Sequence, residues 1–360
     1  MQKICIDARL YGIKDTGPGR YTENLIANLP DDPNYKIVLI VSPDTYSDPK
    51  LAKFDKFVAH LHPYSILSQQ EMLMLMWKIK PDLLHSTHFT IPVFWHGKIV
   101  VTIHDLIKHY SRGSNTTTRD PLFYWLKYFG YLYVVWMAVH RSSHIITPSQ
   151  YWKDELVRRY HIPESKVSVT YEGVSNAFLQ NPLPTRNIIP ARPYVIYTGN
   201  LYPHKNVPIL IDAINRLSGK VILVIVCARS VFENYLPPSP HVKYLGRVSD
   251  DDLINLYQKS MAFIFPSLIE GFGLPGLEAM ACGTPVIAAD ASCLPEIYED
   301  AALYFNPYDP QDLVDKIQSI LNNPKLRKEY IIQGKQQVKK YSWRKMAAQT
   351  WQIYQNVLSS

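Results

Sequence analysis

The stretch EGFGLPGLEAMACGTPVIA sets two acids, Glu270 and Glu278, on either side of a glycine-rich turn, with seven residues between them. A strand-like run, AFIFPS, precedes it; Gly271 and Gly273 loosen the backbone, Pro275 suits the first position of a helix, and Gly283 suits its end. The amides around Gly273, Leu274 and Gly276 would then face whatever lies beyond the helix N-terminus, where an anion is favoured. Glu278, one turn into the helix, can accept hydrogen bonds from vicinal hydroxyls such as those of a ribose. Glu270, on the loop, is free to reach another part of the same ligand. Amides for a phosphate, flanked by carboxylates for hydroxyls, describe a sugar nucleotide. The competing structural reading makes Glu278 only a first-turn acid that complements the helix dipole.

A second glycine segment, TGPGRYTENL, places Gly17 and Gly19 before a helix expected to start near Arg20. Such a turn can cradle phosphate, although many tight turns share its composition. The run SDDDL offers Asp250-x-Asp252, the spacing that holds manganese in one class of sugar transferases. Ser249 followed three residues later by Asp252 is better explained as a helix capping box. With no other His, Cys or Asp cluster at ligand spacing, neither metal nor cofactor is expected.

These residues need elements to hold them. Apolar runs such as KICIDAR, KIVLIVS, PDLLHST and KIVVTIHD alternate with helical periodicities in the first half. The alternation resumes after a proline-rich break at 176–193, with YVIYTGN, VILVIVC, VKYLGR, AFIFPS and PVIAAD as strands. The reading is α/β: two Rossmann-like, doubly wound domains, 1–175 and 194–341, joined by that linker, with a terminal helix over 342–360. In such sheets ligands lie beyond the carboxyl ends of the strands. Two facing domains would therefore place their motifs on a central cleft.

At 360 residues the chain suits two ordinary domains, and its net charge of +7 fits phosphate-bearing substrates, anionic membranes or nucleic acid about equally. No basic tract or nucleic-acid module accompanies the charge, so nucleic acid is not an expected partner. Four scattered cysteines read as core thiols of a reducing compartment, and MQKICIDARL has no leader-like run, so a cytoplasmic location is expected. The aromatic stretch from Pro121 to His140 is long enough to span a bilayer, but its lysine, glycine and evenly spread tyrosines read as a domain helix, with peripheral membrane contact as the alternative.

The stretch EGFGLPGLEAMACGTPVIAAD resembles the E-x7-E signature of retaining glycosyltransferases of family four, which have the GT-B fold. TGPGRYTENL, TIHDL, IITPSQYWKDEL, YTGNLYPHKNVPILIDA, VKYLGRVSDDDLINLYQKS and YSWRKMA follow in the family's order, so the resemblance covers nearly the whole chain. It implies that Glu278 holds the donor ribose and that Glu270 contacts the donor sugar or its phosphates. The loop of Gly271, Phe272, Gly273 and Leu274 would bind that sugar and the diphosphate, with Gly17 and Gly19 bordering them. His104 would lie near the transferred group, and the backbone at Val248 would meet the base. Lys205 would neutralise the leaving phosphate. The sequence departs from the family where two cations commonly serve the diphosphate: Asn200 and His204 occupy the expected arginine positions. The implied reaction is hexosyl transfer with retention, by same-face substitution with no covalent nucleophile on the protein. GDP-mannose is the preferred donor, because GPGRYTENL, HSTHFTIP and TIHDL look closest to bacterial mannosyltransferases of surface polysaccharides; a UDP-hexose is the alternative. The acceptor would be a glycan or a polyprenyl-linked oligosaccharide. Rival readings are a GT-B epimerase or phosphorylase, whose marks are missing, and a non-catalytic sugar-nucleotide-binding protein.

Overall fold

The structure is a computed structural model that describes all residues except 13–16, 114–120, 181–188 and 228–235, and only the backbone of 121–123. Part of the expected linker, at 181–188, and the residues leading into the first glycine segment therefore lie outside the described residues. The chain divides into two compact units: Met1–Leu106, Thr117–Glu172 and Trp343–Ser360 in one, Ile107–Thr116 and Gly173–Ser342 in the other.

The first unit holds β1 (Gln2–Asp7), α1 (Gly17–Ala27), β2 (Tyr35–Val41), β3 (Asp55–Val58), α2 (Ser68–Ile79), β4 (Leu83–Ser86) and β5 (Lys98–Thr102). After a short α3 (Ile107–Tyr110) that belongs to the second unit come α4 (Pro121–Arg141), β6 (His144–Thr147), α5 (Gln150–Tyr160) and β7 (Val167–Val169). Its sheet runs β3-β2-β1-β4-β5-β6-β7, every pairing parallel. Parallel strands are covered on both faces, which is why β2 and β5 read as runs of Ile, Val and Leu and the inner residues of β1 and β4 are buried.

The second unit holds α6 (Asn176–Leu179), β8 (Tyr194–Thr198), α7 (Val207–Arg216), β9 (Ile222–Val226), β10 (Val242–Gly246), α8 (Asp250–Lys259), β11 (Phe263–Phe265), α9 (Leu274–Ala281), β12 (Val286–Ala289), α10 (Leu294–Tyr298), β13 (Ala302–Phe305), α11 (Pro310–Asn322) and α12 (Pro324–Val338). Its order, β10-β9-β8-β11-β12-β13, is also parallel throughout. Both sheets thus show the doubly wound order in which the first strand lies centrally and the chain then turns to its other side.

The last helix, α13 (Trp343–Ser359), belongs to the first unit. It packs on α1, β5 and β6, and its Tyr354 hydroxyl hydrogen-bonds Nδ1 of the buried His85. The expected helix over 121–140 is α4, whose inner face buries Tyr128, Val135, Ala138 and Val139. Trp125, Phe129, Tyr133 and Trp136 lie outward, 41 to 62% exposed. Among the described residues no helix is long and apolar enough to cross a membrane. None of the four cysteines is in a disulfide.

Several details differ from the sequence-based expectation. Strand β13 and helices α3, α6, α10 and α12 were not anticipated, and α6 falls inside the stretch read as linker. Helix α1 starts at Gly17 rather than near Arg20, because Pro18 is compatible with a first helical turn. Gly17 and Gly19 are therefore in the first turn itself.

Candidate active site

In the second sheet the switch of direction falls between β8 and β11, and the loops leaving those strands carry opposite charges. Lys205 ends a short turn, Pro203–Lys205, after β8; Glu270 follows β11. Their side chains meet, Nζ to Oε1, at 2.6 Å, with only 13% and 10% of each exposed. A pair so far removed from water is held together by charge, since either partner alone would be costly to bury. The Lys205 ammonium also lies 5.9 Å from the centre of the Phe265 ring. Beside it, His204 is depressed to about 4, by burial first and by Lys205 second. It is uncharged near neutral pH and supplies no second cation at the position where the resemblance implies an arginine. Asn200 is exposed, and its Oδ1 accepts from the Tyr202 amide at 3.3 Å.

The Glu270 backbone is fixed by the turn after β12. The Ser292 hydroxyl is 3.2 Å from the Glu270 amide and 3.1 Å from its carbonyl, which the Cys293 thiol also approaches at 3.2 Å. Gly273 adopts φ +99°, and the Tyr298 hydroxyl donates to its carbonyl at 2.6 Å. A Cβ on Gly276 would lie 2.2 Å from that hydroxyl, so only glycine fits there. Of the three amides anticipated at this turn, that of Gly276 is engaged by the Gly273 carbonyl at 3.2 Å. Gly271 is half-buried. Phe272 turns its ring into the core, edge-on to Tyr341 at 5.4 Å, so a ligand could meet only its backbone. Leu274 opens α9, and Glu278 lies one turn into it, buried. Val248 follows β10, two strands from β8 and about 10 Å away at ordinary strand spacing. The next residue, Ser249, caps α8 by accepting from the Asp252 amide at 3.2 Å, which accounts for the Asp250-x-Asp252 spacing. Among the described residues no group of three or more His, Cys, Asp or Glu side chains is placed to hold a metal.

The first sheet has its own switch, between β1 and β4. At the end of β1, Asp7 receives Nε and Nη2 of Arg9 at 2.8 and 2.6 Å, both residues buried. The Thr87 hydroxyl after β4 donates to the Asp7 carbonyl at 2.8 Å and lies 3.0 Å from the Thr22 hydroxyl of α1. His104, following β5, donates from Nε2 to the Thr87 carbonyl at 2.9 Å. A carbonyl can only accept, so Nε2 carries the proton. Nδ1 then faces Glu172 Oε1 at 3.5 Å, in a pair whose side chains are 7% and 4% exposed. Tyr21 packs edge-on to the imidazole with centroids 4.8 Å apart. The ring is thus oriented from three sides.

Glu172 carries no motif and was not foreseen; its only sequence signal is a single acid ending the apolar run VSVTYEG. Within each unit the anticipated residues gather at the carboxyl edge of the sheet. Lys205, Glu270 and the Gly273 turn come together in the second unit, as do His104 and the start of α1, through Tyr21 and Thr22, in the first.

Comparison with known proteins agrees with this topology. Residues 16–178 match the model for Glycosyltransferase Family 4, and residues 184–337 match that for Glycosyl transferases group 1. The O-antigen chain mannosyltransferase RfbU of Salmonella typhimurium is 32% identical over 246 residues, covering 66% of this chain and 65% of that protein. O-antigen chain mannosyltransferase B of Escherichia coli is 28% identical over 233 residues, 58% of this chain and 60% of its own. The matches thus span a little under two thirds of these two relatives. An uncharacterized glycosyltransferase of Methanocaldococcus jannaschii is 31% identical over 288 residues, 77% of this chain and 76% of that one. Among solved structures, sucrose-phosphate synthase from Thermosynechococcus elongatus superposes with TM-score 0.77 at 20% identity, over 100% of both chains. The Anabaena protein HepE, crystallised with UDP and glucose, gives 0.74 at 17% identity, over 99% of this chain and 100% of that one. With two parallel α/β sheets of this order and family models along both halves, the chain belongs to glycosyltransferase family 4 and has the GT-B fold.

Proposed function

We propose that the protein transfers mannose from GDP-mannose to a hydroxyl of a glycan or polyprenyl-linked acceptor, retaining the anomeric configuration and without a metal. The observation that carries this reading is the Lys205–Glu270 pair at the switch point of the second sheet. It holds a cation against the loop that leads into α9, and a diphosphate at that helix N-terminus would be stabilised by both. As the bond from the anomeric carbon to the β-phosphate oxygen breaks, its electrons pass to that oxygen, whose charge Lys205 and the α9 amides balance. The acceptor hydroxyl joins the anomeric carbon from the same face and its proton passes to the departing phosphate. Glu270 would position the donor sugar and Lys205, Glu278 the ribose, the Val248 backbone the base, and His104 the transferred group.

The Salmonella and E. coli mannosyltransferases support mannose as the sugar. UDP-glucose is the second reading, favoured by the Anabaena protein's complex with UDP and glucose. The exposed aromatic face of α4 supports peripheral contact at the cytoplasmic side of a membrane, where a polyprenyl-linked acceptor would lie. Co-sedimentation with phosphatidylglycerol vesicles that is lost in Trp125→Ala/Phe129→Ala is the result expected of that contact; no binding by the unaltered protein overturns it.

Calorimetry with GDP, UDP, GDP-mannose and UDP-glucose in chelator tests the donor. The expected result is tight GDP-mannose binding that collapses in Glu278→Ala. Binding that ignores Glu278 and demands manganese, or the lack of any nucleotide binding, sinks the reading.

A further inference from the structure

At the carboxyl edge of the first sheet, segments far apart in sequence bring aromatic rings together beside His104. Tyr64, between β3 and α2, stacks on Phe89 after β4, with centroids 5.8 Å apart and planes 19° from parallel. Tyr131 of α4 meets the same Phe89 edge-on at 5.2 Å. His88 packs on Phe89 at 4.0 Å, and its Nε2 lies 3.1 Å from the Tyr64 hydroxyl, which fixes that ring. His88 also reaches to within 6.2 Å of the His104 ring. The cluster remains open: Tyr64 is 49% exposed, and His88, Phe89, Asp105 and Tyr131 are half-buried.

We propose that Tyr64, Phe89 and Tyr131 form a shelf, edged by His88, Asp105 and His104, that binds a pyranose ring of the acceptor. A pyranose has an apolar C–H face and a rim of hydroxyls. It therefore fits aromatic surface bordered by a few polar groups, the usual make-up of a small-molecule site. Asp105 supplies the carboxylate. Its charge reaches both tyrosines, whose phenols are held above their ordinary value by burial first and by Asp105 second. A carboxylate at the edge of stacked rings can accept from two neighbouring sugar hydroxyls. The shelf leads through His88 to His104, the residue to which the proposed reaction assigns the transferred group. Only the word acceptor rests on the transferase reading; pyranose binding does not.

Saturation-transfer NMR on the full chain, with methyl α-D-mannopyranoside, methyl α-D-glucopyranoside and methyl N-acetyl-β-D-glucosaminide as probes, tests the shelf. At least one glycoside should give saturable transfer, strongest at the C–H protons of one ring face. Tyr64→Ala and Asp105→Asn should each weaken it by about tenfold, equivalent to the loss of roughly 1.4 kcal/mol. Tyr133→Ala, on the outer face of α4, should leave it unchanged, and thermal unfolding confirms that each variant folds. No saturable transfer from any of the three, or transfer that neither Tyr64→Ala nor Asp105→Asn alters, overturns the proposal. Glycoside binding in a protein that takes no nucleotide would remove the transferase reading alone; nucleotide binding without glycoside transfer would remove the shelf alone.

Discussion

His104 donates from Nε2 to a backbone carbonyl, and that single bond decides what Glu172 can do for it. With one nitrogen committed, the carboxylate at 3.5 Å supports any positive charge that develops on Nδ1 and holds the ring's tilt. Glu172→Gln keeps the shape and removes the charge. Losing an interaction with a charged partner is worth about 1.5–3 kcal/mol, so turnover should fall roughly ten- to a hundredfold while GDP affinity stays the same. Initial rates and calorimetry on one preparation separate the two, and an unchanged turnover would make Glu172 purely structural. The other pair gives a stability prediction. Lys205→Met leaves the buried Glu270 carboxylate without its cation, which should cost about 3–5 kcal/mol, and Lys205→Met/Glu270→Gln should recover most of that in thermal unfolding. Nucleotide binding should stay weak in both. The types and spacing of Glu270, Glu278 and the glycines were legible because their chemistry is local, within one turn and the helix it starts. Neither charge pair was, since 65 residues separate Lys205 from Glu270, and spacing along a chain says nothing of a partner so distant.

Among the elements, the first turn of α9 has little room for change. Tyr298 is wholly buried and anchored to the Gly273 carbonyl, so it cannot retreat from a methyl group placed 2.2 Å from its hydroxyl. Gly276→Ala should therefore destabilise the second unit by about 1–3 kcal/mol, as overpacked cores do, and displace the amides ahead of α9. A lowered urea midpoint together with weakened GDP binding is expected; an unchanged midpoint would show that α10 can shift. Two of the elements that escaped the sequence reading show why. Helix α12 buries Gly334, Gln337 and Val338 rather than an apolar stripe, and Gly334 is there because a Cβ would come within 3.0 Å of Met280. Arg327 of the same helix donates to the carbonyls of Ser260 and Met261, a tie that hydrophobic periodicity cannot register. Strand β13 has four residues, too few for a period to emerge.

Over the whole molecule, the terminal helix closes the first unit through a buried polar chain: Tyr354 to His85, His85 Nε2 to the Thr102 hydroxyl at 2.8 Å, and Thr102 to the Tyr21 hydroxyl at 3.1 Å. Burial, and His104 after it, depress His85 to about 3. Below its ordinary value of 6.5 the unfolded chain takes up a proton there that the folded chain refuses down to about pH 3. Stability from this group is therefore complete above pH 6.5 and lost as pH falls through that window, by about 1.4 kcal/mol per pH unit. Urea unfolding between pH 7 and 5 should show that slope, and His85→Gln should flatten it by about one proton; an equal slope in both would place the titration elsewhere. Sequence by itself determined the α/β architecture and the glycine–glutamate motif after β11, because apolar runs, caps and glycine turns act over a few residues. Tertiary structure alone decided that His104 meets Glu172, that Lys205 meets Glu270, and that Tyr64, Phe89 and Tyr131 form one surface. The reason lies in parallel topology: each crossover returns the chain to the same sheet edge, so residues dozens of positions apart become neighbours, and strand order, which no local pattern encodes, chooses which ones.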